Sequence, residues 1–179
     1  MKIVKRIIPS LRVAPTAVLL LLSAGPWAWT QEIANPGFEQ ELSDWTAKAD
    51  YDMSRTATEA ARTGNFGLRV VDEDPSKGSG LQSLPIAASV GKKTQITFWA
   101  RTISGEGGVR VSLCFLDENF VRIGKNAPSV LVKNSPEWQE FKISGVAPES
   151  AAAFYVQISS MPLEMVTADF DDFSSTVLD

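Results

Sequence analysis

Few side chains in this chain can take part in catalysis, because its 179 residues include no histidine and only one cysteine, Cys114. Without histidine, neither a Ser-His-Asp triad nor a Cys-His pair can form, and the common histidine-based zinc sites are excluded. A single cysteine also excludes an intrachain disulfide and a thiolate cluster. Because no base can be paired with it, Cys114 is predicted to be a small buried or half-buried strand residue rather than a nucleophile. What remains is carboxylate chemistry, a metal ion bound through oxygen, or binding without catalysis.

Carboxylates are the only acid–base groups left for an enzyme. A glycosidase needs two of them, roughly 5–9.5 Å apart, and one must have a raised pKa. The acids available are Asp72–Asp74, Glu106, Asp117, Glu118 and Glu140. Most lie in turns beside Gly, Pro or Lys, where solvated surface acids are expected. The sequence therefore predicts no enzyme activity, and a small carboxylate glycosidase is kept as an alternative.

Aromatic and polar side chains on the outer faces of strands suggest sugar binding instead. Sugars stack their apolar C–H faces on aromatic rings, and their hydroxyls accept hydrogen bonds from Arg and Gln. The alternation of the strands places five such residues away from the core: Trp99, Arg101, Arg110, Tyr155 and Gln157. They form one platform if their strands share a sheet. In the alternative, a loop covers Trp99 and Arg101 only stacks on it. Trp45 and Trp138 are predicted to belong to the core, and Phe120 is predicted to be a hairpin tip packed on its neighbour.

These residues lie on short alternating segments separated by Gly, Pro, Asn, Asp and Ser. Such spacing predicts an all-β fold, either a β-sandwich or a barrel, and the alternation of apolar and polar residues is typical of antiparallel sheets with one buried face. The helix-like stretch at residues 57–62 is too short to change that class. The predicted strands are Gly67–Asp72, Gly80–Ile86, Thr94–Arg101, Gly108–Leu116, Trp138–Ser144, Ala152–Ser159 and Thr167–Thr176.

Residues 1–30 have the pattern of a secretory signal peptide, which leaves 31–179 as one domain. Basic residues precede an apolar run from Val13 to Leu22, and small residues follow at Ser23–Gly25. The run is too short for a membrane span, which needs about 20 apolar residues. Four of the 17 Lys+Arg and none of the 21 Asp+Glu lie in this leader, so the mature chain has a net charge of −8. We expect a secreted or periplasmic protein that binds neither nucleic acid nor anionic membranes.

Five motifs resemble, in order and spacing, those of the carbohydrate-binding modules of the family 4/9/22 type. The opening motif is Asn35-Pro36-Gly37-Phe38-Glu39 followed by Trp45. The later ones are Arg62–Leu68, Ile96–Arg101, Trp138–Phe141 and Phe170–Phe173. The resemblance covers Ile33 to Val177. It implies a galactose-binding-like jelly roll with a structural calcium ion, and polysaccharide binding on a sheet face or on loops at its edge.

The resemblance also implies the calcium ligands, namely the side chains of Glu39 and Asp171 and the backbone of Gly64. Calcium takes six to eight oxygen ligands, a mixture of carboxylates and carbonyls. Glu39 and Asp171 can meet only if the first and last strands are neighbours. Asp169 and Asp172 lie close enough in sequence to take the place of Asp171, and solvated turn acids are the alternative.

Together these observations predict a secreted, non-catalytic module that binds a polysaccharide or oligosaccharide and holds a structural calcium. The partner is a glycan, with a secreted glycoside hydrolase or a cell-surface assembly as a further candidate. An extracellular structural or adhesion domain that does not bind sugar is the alternative.

Overall fold

The computed structural model describes residues 32–163 and 165–178, so the predicted signal peptide lies outside the described residues. Eleven strands and one 3-10 turn, Thr58–Ala60, make up the regular structure. The strands are β1 (Trp45–Ala47), β2 (Ser54–Ala57), β3 (Gly67–Asp72), β4 (Leu81–Ser83), β5 (Ile86–Ala87), β6 (Lys93–Gly105), β7 (Val109–Leu116), β8 (Ser129–Val132), β9 (Gln139–Val146), β10 (Ala153–Ser160) and β11 (Val166–Leu178).

The strands form two antiparallel sheets. One sheet has the order β1-β4-β10-β7-β8, with β5 also paired to β10, and we call it the six-stranded sheet. The five-stranded sheet has the order β2-β3-β11-β6-β9. Within the described ranges, no helix is long and apolar enough to cross a membrane.

The core lies between the sheets and follows from the alternation of each strand. In β10, Phe154, Val156 and Ile158 are buried in the core, so the residues between them face outward. In β6 the inward residues are Ile96, Phe98 and Ala100. An antiparallel sheet with one packed face needs this period of two. The prediction of an all-β sandwich is confirmed.

The segment before β1 packs onto β11 through an aromatic cluster. Phe38 is fully buried, with its ring centroid 4.9 Å from Trp45 and 6.0 Å from Phe173. The side chain of Asn35 organises the turn, since its Nδ2 donates to the carbonyls of Glu41 and Ser43. The cluster brings the N-terminal motif beside the last strand, and the prediction that Trp45 is a core residue is confirmed.

All seven predicted strands occur, Gly67–Asp72 with the predicted ends and the other six with shifted ends. The segment predicted as Gly80–Ile86 is divided into β4 and β5 because Leu84 and Pro85 interrupt it, and proline cannot donate a ladder hydrogen bond. The strands β1, β2 and β8 have no counterpart among the predicted ones. The helix-like stretch at 57–62 is the end of β2 followed by the 3-10 turn.

Candidate functional site

The outer face of the six-stranded sheet carries a row of polar side chains that crosses five strands. Antiparallel pairing places Thr46 opposite Gln82 and Gln82 opposite Gln157. The row continues from Gln157 to Ser112 and ends at Ser129. Arg110 lies in the next row, where it faces Ser159 and donates to the Ser129 hydroxyl at 3.2 Å. The row is a strip of amide and hydroxyl groups that can exchange hydrogen bonds with a ligand.

A cleft of about 480 Å³ opens at one end of this row. One wall consists of Thr46, Lys48, Leu84 and Pro85, the other of Phe120 and Arg122, and the floor of Gln82, Ser83, Leu116 and Tyr155. Its volume lies within the range of ligand pockets, about 300–1,000 Å³, and its lining combines apolar and hydrogen-bonding groups in the way such pockets do.

Phe120 is held at the rim of the cleft by a turn that Asp117 closes. Asp117 Oδ1 accepts hydrogen bonds from the backbone N–H groups of Asn119 and Val121, both at 2.9 Å. Phe120 has a φ of 63°, a left-handed conformation that is rare for a bulky residue, and it is 58% exposed. A strained, exposed aromatic side chain on a braced turn suggests a functional position. Phe120 lies at the tip of the turn, as predicted, and more than half of its surface is exposed.

Tyr155 forms the floor of the cleft and offers no open ring face. It is 8% exposed and lies opposite Cys114, with which it belongs to a small buried cluster. Burial raises the pKa of Tyr155 to about 12, an effect that the positive charge of Arg122 opposes. Burial also raises the pKa of the Cys114 thiol. Among the described residues that line the cleft, Phe120 therefore carries the exposed aromatic ring, and Arg122 lies beside the Tyr155 hydroxyl.

Trp99 and Arg101 lie on the other side of the molecule, on β6 of the five-stranded sheet. The Arg62 guanidinium lies 3.6 Å from the centroid of the Trp99 ring, and Arg101 lies 4.8 Å from that of Trp138. Both indoles are thus stacked with arginines. Trp138 is partly exposed on this face, so the prediction that it belongs to the core is wrong, because it follows a turn and lies beneath Arg101.

The arginines of this face are bound to a buried carboxylate. Asp169, fully buried, accepts from Arg69 Nε at 2.7 Å and from Arg101 Nε at 3.0 Å. Arg69 also pairs with Glu59, and Arg101 Nη2 donates to the Glu59 carbonyl at 2.7 Å. Arg101 therefore serves a structural network in addition to any contact with a ligand.

The five residues predicted as a sugar platform do not share a sheet. Arg110, Tyr155 and Gln157 lie on the six-stranded sheet, and Trp99 and Arg101 lie on the five-stranded one, so a single platform cannot form. Sequence reasoning missed Phe120 and Arg122 as site residues, because turn residues have no periodicity to read. The available signal was the Asp117-Glu118-Asn119-Phe120 turn, in which an Asp can accept backbone N–H groups two and four residues on.

The three residues predicted as calcium ligands meet at one loop, residues 62–66. Glu39 and Asp171 contact this loop, and Gly64 is part of it. Glu39 Oε1 accepts from the N–H groups of Asn65 at 2.8 Å and Phe66 at 3.0 Å, and these bonds lower the pKa of Glu39. Gly64 has a φ of 66°, and the Glu39 carboxylate lies where a Cβ at this position would be.

Asp171 reaches the same loop from β11. Its Oδ2 accepts from the N–H groups of Arg62 at 2.7 Å and Thr63 at 3.1 Å, and its Oδ1 accepts from Asp172 N at 2.8 Å. The carboxylate is fully buried, and among the described residues it has no cationic side chain paired with it. Burial raises the pKa of Asp171, because the charged form loses solvation. Arg62 pairs instead with Asp172, at 2.8 Å.

Glu39 and Asp171 are therefore two carboxylates on one loop rather than a ready-made acidic cage. No group of three or more Asp, Glu, Cys or His side chains suited to a metal occurs among residues 32–163 and 165–178. An ion held here would need carbonyl oxygens or water for most of its coordination shell.

No protein-family model matches the chain, and no curated protein matches it. Solved structures with the same fold do exist. A family 16 carbohydrate-binding module superposes with a TM-score of 0.64 at 13% identity, over 80% of this chain and 98% of the module. The CBM22-1 xylan-binding domain of Xyn10C from Paenibacillus barcinonensis gives a TM-score of 0.53 at 13% identity, over 83% of this chain and 93% of the domain.

An enzyme shares the fold as well. A cyclase from Fischerella sp. TAU superposes with a TM-score of 0.62 at 15% identity, over 82% of this chain and 95% of the cyclase. Identities this low establish the fold and not the function. The fold is a jelly-roll β-sandwich like that of these carbohydrate-binding modules, which confirms the resemblance at the level of architecture.

Proposed function

We propose that this protein binds a polysaccharide or oligosaccharide without cleaving it, in the cleft on the outer face of the six-stranded sheet. The observation that carries the proposal is the position of Phe120, an exposed ring held over a cleft whose floor presents Gln82 and leads to Gln157. A pyranose can stack its C–H face on such a ring while its hydroxyls bond to the amide row. The fold of the family 16 and family 22 modules supports the same proposal.

The cleft gives no support to glycoside hydrolysis by two carboxylates. None of the cleft residues in the described part of the chain is Asp or Glu, whereas that reaction needs an acid and a second carboxylate on either side of the scissile bond. The likeness to a cyclase shows only that the fold can carry an active site. The binding experiment below should therefore include an assay for release of reducing ends, for which we expect a negative result.

Affinity electrophoresis through gels that contain single polysaccharides tests the proposal. We expect retardation by at least one glycan and its loss in the variant Phe120→Ala, because truncation of a central aromatic contact typically costs about 2 kcal/mol or more, roughly thirtyfold in affinity. Since Phe120 is 58% exposed, the melting temperature should change little.

Trp99→Ala is the matched control, because it removes an aromatic side chain from the opposite sheet. It should keep the retardation. If Trp99→Ala abolishes binding and Phe120→Ala does not, the ligand site lies on the five-stranded sheet, and the proposal for the cleft is wrong.

We further propose a structural calcium ion between Glu39, Asp171 and the backbone near Gly64. The donor chemistry fits: two carboxylates converge on one loop, and the buried charge of Asp171 has no cation paired with it within the described residues. A divalent ion would neutralise that charge and join the N-terminal segment, the 62–66 loop and β11. Thermal unfolding in calcium and in EDTA tests this, and an unchanged melting temperature would contradict it.

Export remains a prediction from the composition of residues 1–30. N-terminal sequencing of protein collected outside the cytoplasm should find a start between Gly25 and Gln31, and an intact Met1 would contradict it. If the chain is exported, an association with a secreted glycoside hydrolase or a cell-surface assembly can be sought by co-purification from the medium.

A further inference from the structure

The two sheets differ sharply in the charges on their strands. The six strands of the six-stranded sheet contain no Asp or Glu. All the acids that lie on strands are in the five-stranded sheet, namely Asp72, Glu140, Asp169, Asp171 and Asp172. In a chain with 21 acids against 17 Lys+Arg, this leaves one broad face free of negative strand residues.

The basic residues of the two sheets also differ in their partners. On the five-stranded side, Arg62 pairs with Asp172, Arg69 and Arg101 pair with Asp169, and Lys142 pairs with Glu140. Two further basic residues on strands of that sheet, Arg55 and Lys93, form no ion pair with any described residue. On the six-stranded side, Lys48, Arg110 and Arg122 form no ion pair with any described residue. Most of the cations named on the five-stranded side are thus neutralised by carboxylates, and these three on the six-stranded side are not.

Two of these cations stand on opposite walls of the cleft. Lys48 follows β1 on one wall, and Arg122 is fixed on the other by its β-bridge to Leu116. The acids nearest in sequence to Arg122 are Asp117, whose Oδ1 accepts from two backbone N–H groups of its own turn, and the exposed Glu118. The acid nearest in sequence to Lys48 is the buried Asp50, whose carboxylate accepts from the backbone N–H groups of Ser54 and Gly80. None of the three lines the cleft, so the positive charge is not cancelled by a residue within it.

We infer, on the basis of the proposed function, that the glycan bound in this cleft is anionic and carries carboxylate or sulfate groups. A planar guanidinium can donate two parallel hydrogen bonds to either group, and such charge-assisted bonds are stronger than those to hydroxyls. A neutral glycan would partly desolvate Lys48 and Arg122 without giving them an anionic partner. The arginines bound to Asp169 are already neutralised, whereas Lys48 and Arg122 flank a cleft that no described acidic residue lines, so their charge can meet a ligand there.

Isothermal titration calorimetry with matched ligands tests the inference. Short oligogalacturonates are compared with their methyl esters, in which the same chain has lost its charge, and dextran sulfate is compared with dextran. We expect the anionic member of at least one pair to bind at least about tenfold tighter than its neutral partner. Its affinity should fall as salt is added, because salt shortens the Debye length from its value of about 10 Å at 0.1 M. The pair that shows the difference identifies carboxylate or sulfate as the recognised group.

Substitutions test which basic residues cause the preference for anionic ligands. Arg122→Gln should lose at least about tenfold in affinity for the anionic ligand, and Lys48→Gln should weaken it in the same direction if Arg122→Gln fails to fold. Lys142→Gln removes one positive charge from the opposite sheet and should leave binding unchanged. An equal loss in Lys142→Gln would show non-specific attraction and overturn the inference.

The remaining outcomes separate this inference from the proposed function. If the methyl esters or dextran bind as tightly as the charged forms, the cleft is a neutral glycan site, and only the inference about charge is wrong. If no glycan of either kind binds, the proposed function fails as well.

Discussion

The carboxylate of Glu39 lies against Gly64, in the space that a Cβ at that position would occupy. The same carboxylate accepts the N–H groups of Asn65 and Phe66, so Glu39 fixes the loop immediately after the glycine. Contact between the N-terminal segment and the 62–66 loop therefore requires both the absence of a side chain at Gly64 and the negative charge of Glu39.

Gly64→Ala should destabilise the fold by more than the conformational cost of alanine at a φ of 66°. That cost is about 1–2 kcal/mol, and displacement of the Glu39 carboxylate adds to it. Urea unfolding measures the change in free energy. Gly91→Ala is the control, because Gly91 has a φ of 74° with no atom within 4 Å of the added Cβ. Equal losses in the two variants would mean that the contact with Glu39 contributes nothing.

Asp171→Asn should remove the response of the melting temperature to calcium. If the ion binds only the folded state, free calcium at about 100 times its Kd stabilises the wild type by roughly 2.7 kcal/mol. The variant lacks the charge that would bind the ion and should melt at the same temperature with calcium or EDTA. Asp74→Asn, in an exposed loop whose carboxylate binds Ser76, should keep the full response. A response retained in Asp171→Asn would exclude this residue as a ligand.

Asp169→Asn should cost about 3–5 kcal/mol of stability without altering glycan binding, because it leaves Arg69 and Arg101 without their buried counter-ion. Glu140→Gln breaks the exposed pair with Lys142 on the same face and should cost no more than about 1 kcal/mol. Chemical unfolding of both variants measures the difference. A small effect of Asp169→Asn would mean that water replaces the lost charge.

Asp117→Ala should weaken glycan binding, although Asp117 does not itself line the cleft. Two backbone N–H groups lose their acceptor, and the turn no longer holds Phe120 in its left-handed conformation. Because a hydrogen bond contributes about 0.5–1.5 kcal/mol, we expect a two- to tenfold loss of affinity. Asp74→Ala breaks a similar local turn at Ser76, away from the cleft, and should leave affinity unchanged.

One of the two tyrosines should titrate late, near pH 12, because burial raises the pKa of Tyr155 to about 12. The raised pKa also makes the stability of the fold depend on pH. Tyr155 stays neutral in the folded chain while it ionises in the unfolded chain from about pH 10, so this group lowers stability as the pH rises from about 10 towards 12. Ultraviolet difference absorbance follows the titration, and Tyr155→Phe should remove the late step. A late step that persists in Tyr155→Phe would contradict the assignment.

The fold was predictable from the sequence where alternation is regular, and less so elsewhere. In β6, β7 and β10 the residues of the main core recur at every second position, which is why these strands are recognisable without a structure. The edge strand β8 has only four residues, of which Val132 alone is buried, so it gives no pattern. In β11 a bulge with Asp172 at a φ of 53° lets both Phe170 and Phe173, three residues apart, face the core.

The candidate site was predictable only in part, because it depends on which strands become neighbours. Alternation identifies Trp99 and Tyr155 as outward, but it does not say that β6 and β10 lie in different sheets. That assignment comes from pairing between strands distant in sequence. Phe120 lies in a turn, where its exposure depends on hydrogen bonds to Asp117 rather than on periodicity.

The position of β11 has a consequence for how the chain reaches its folded state. This strand follows all the others in sequence, yet it lies in the middle of the five-stranded sheet, between β3 and β6. During synthesis, the edges of β3 and β6 that pair with β11 therefore stay open until β11 has been made, and open edges favour aggregation. Folding of that sheet must be a late event, and a chaperone that shields β6 in the meantime would improve the yield of native protein.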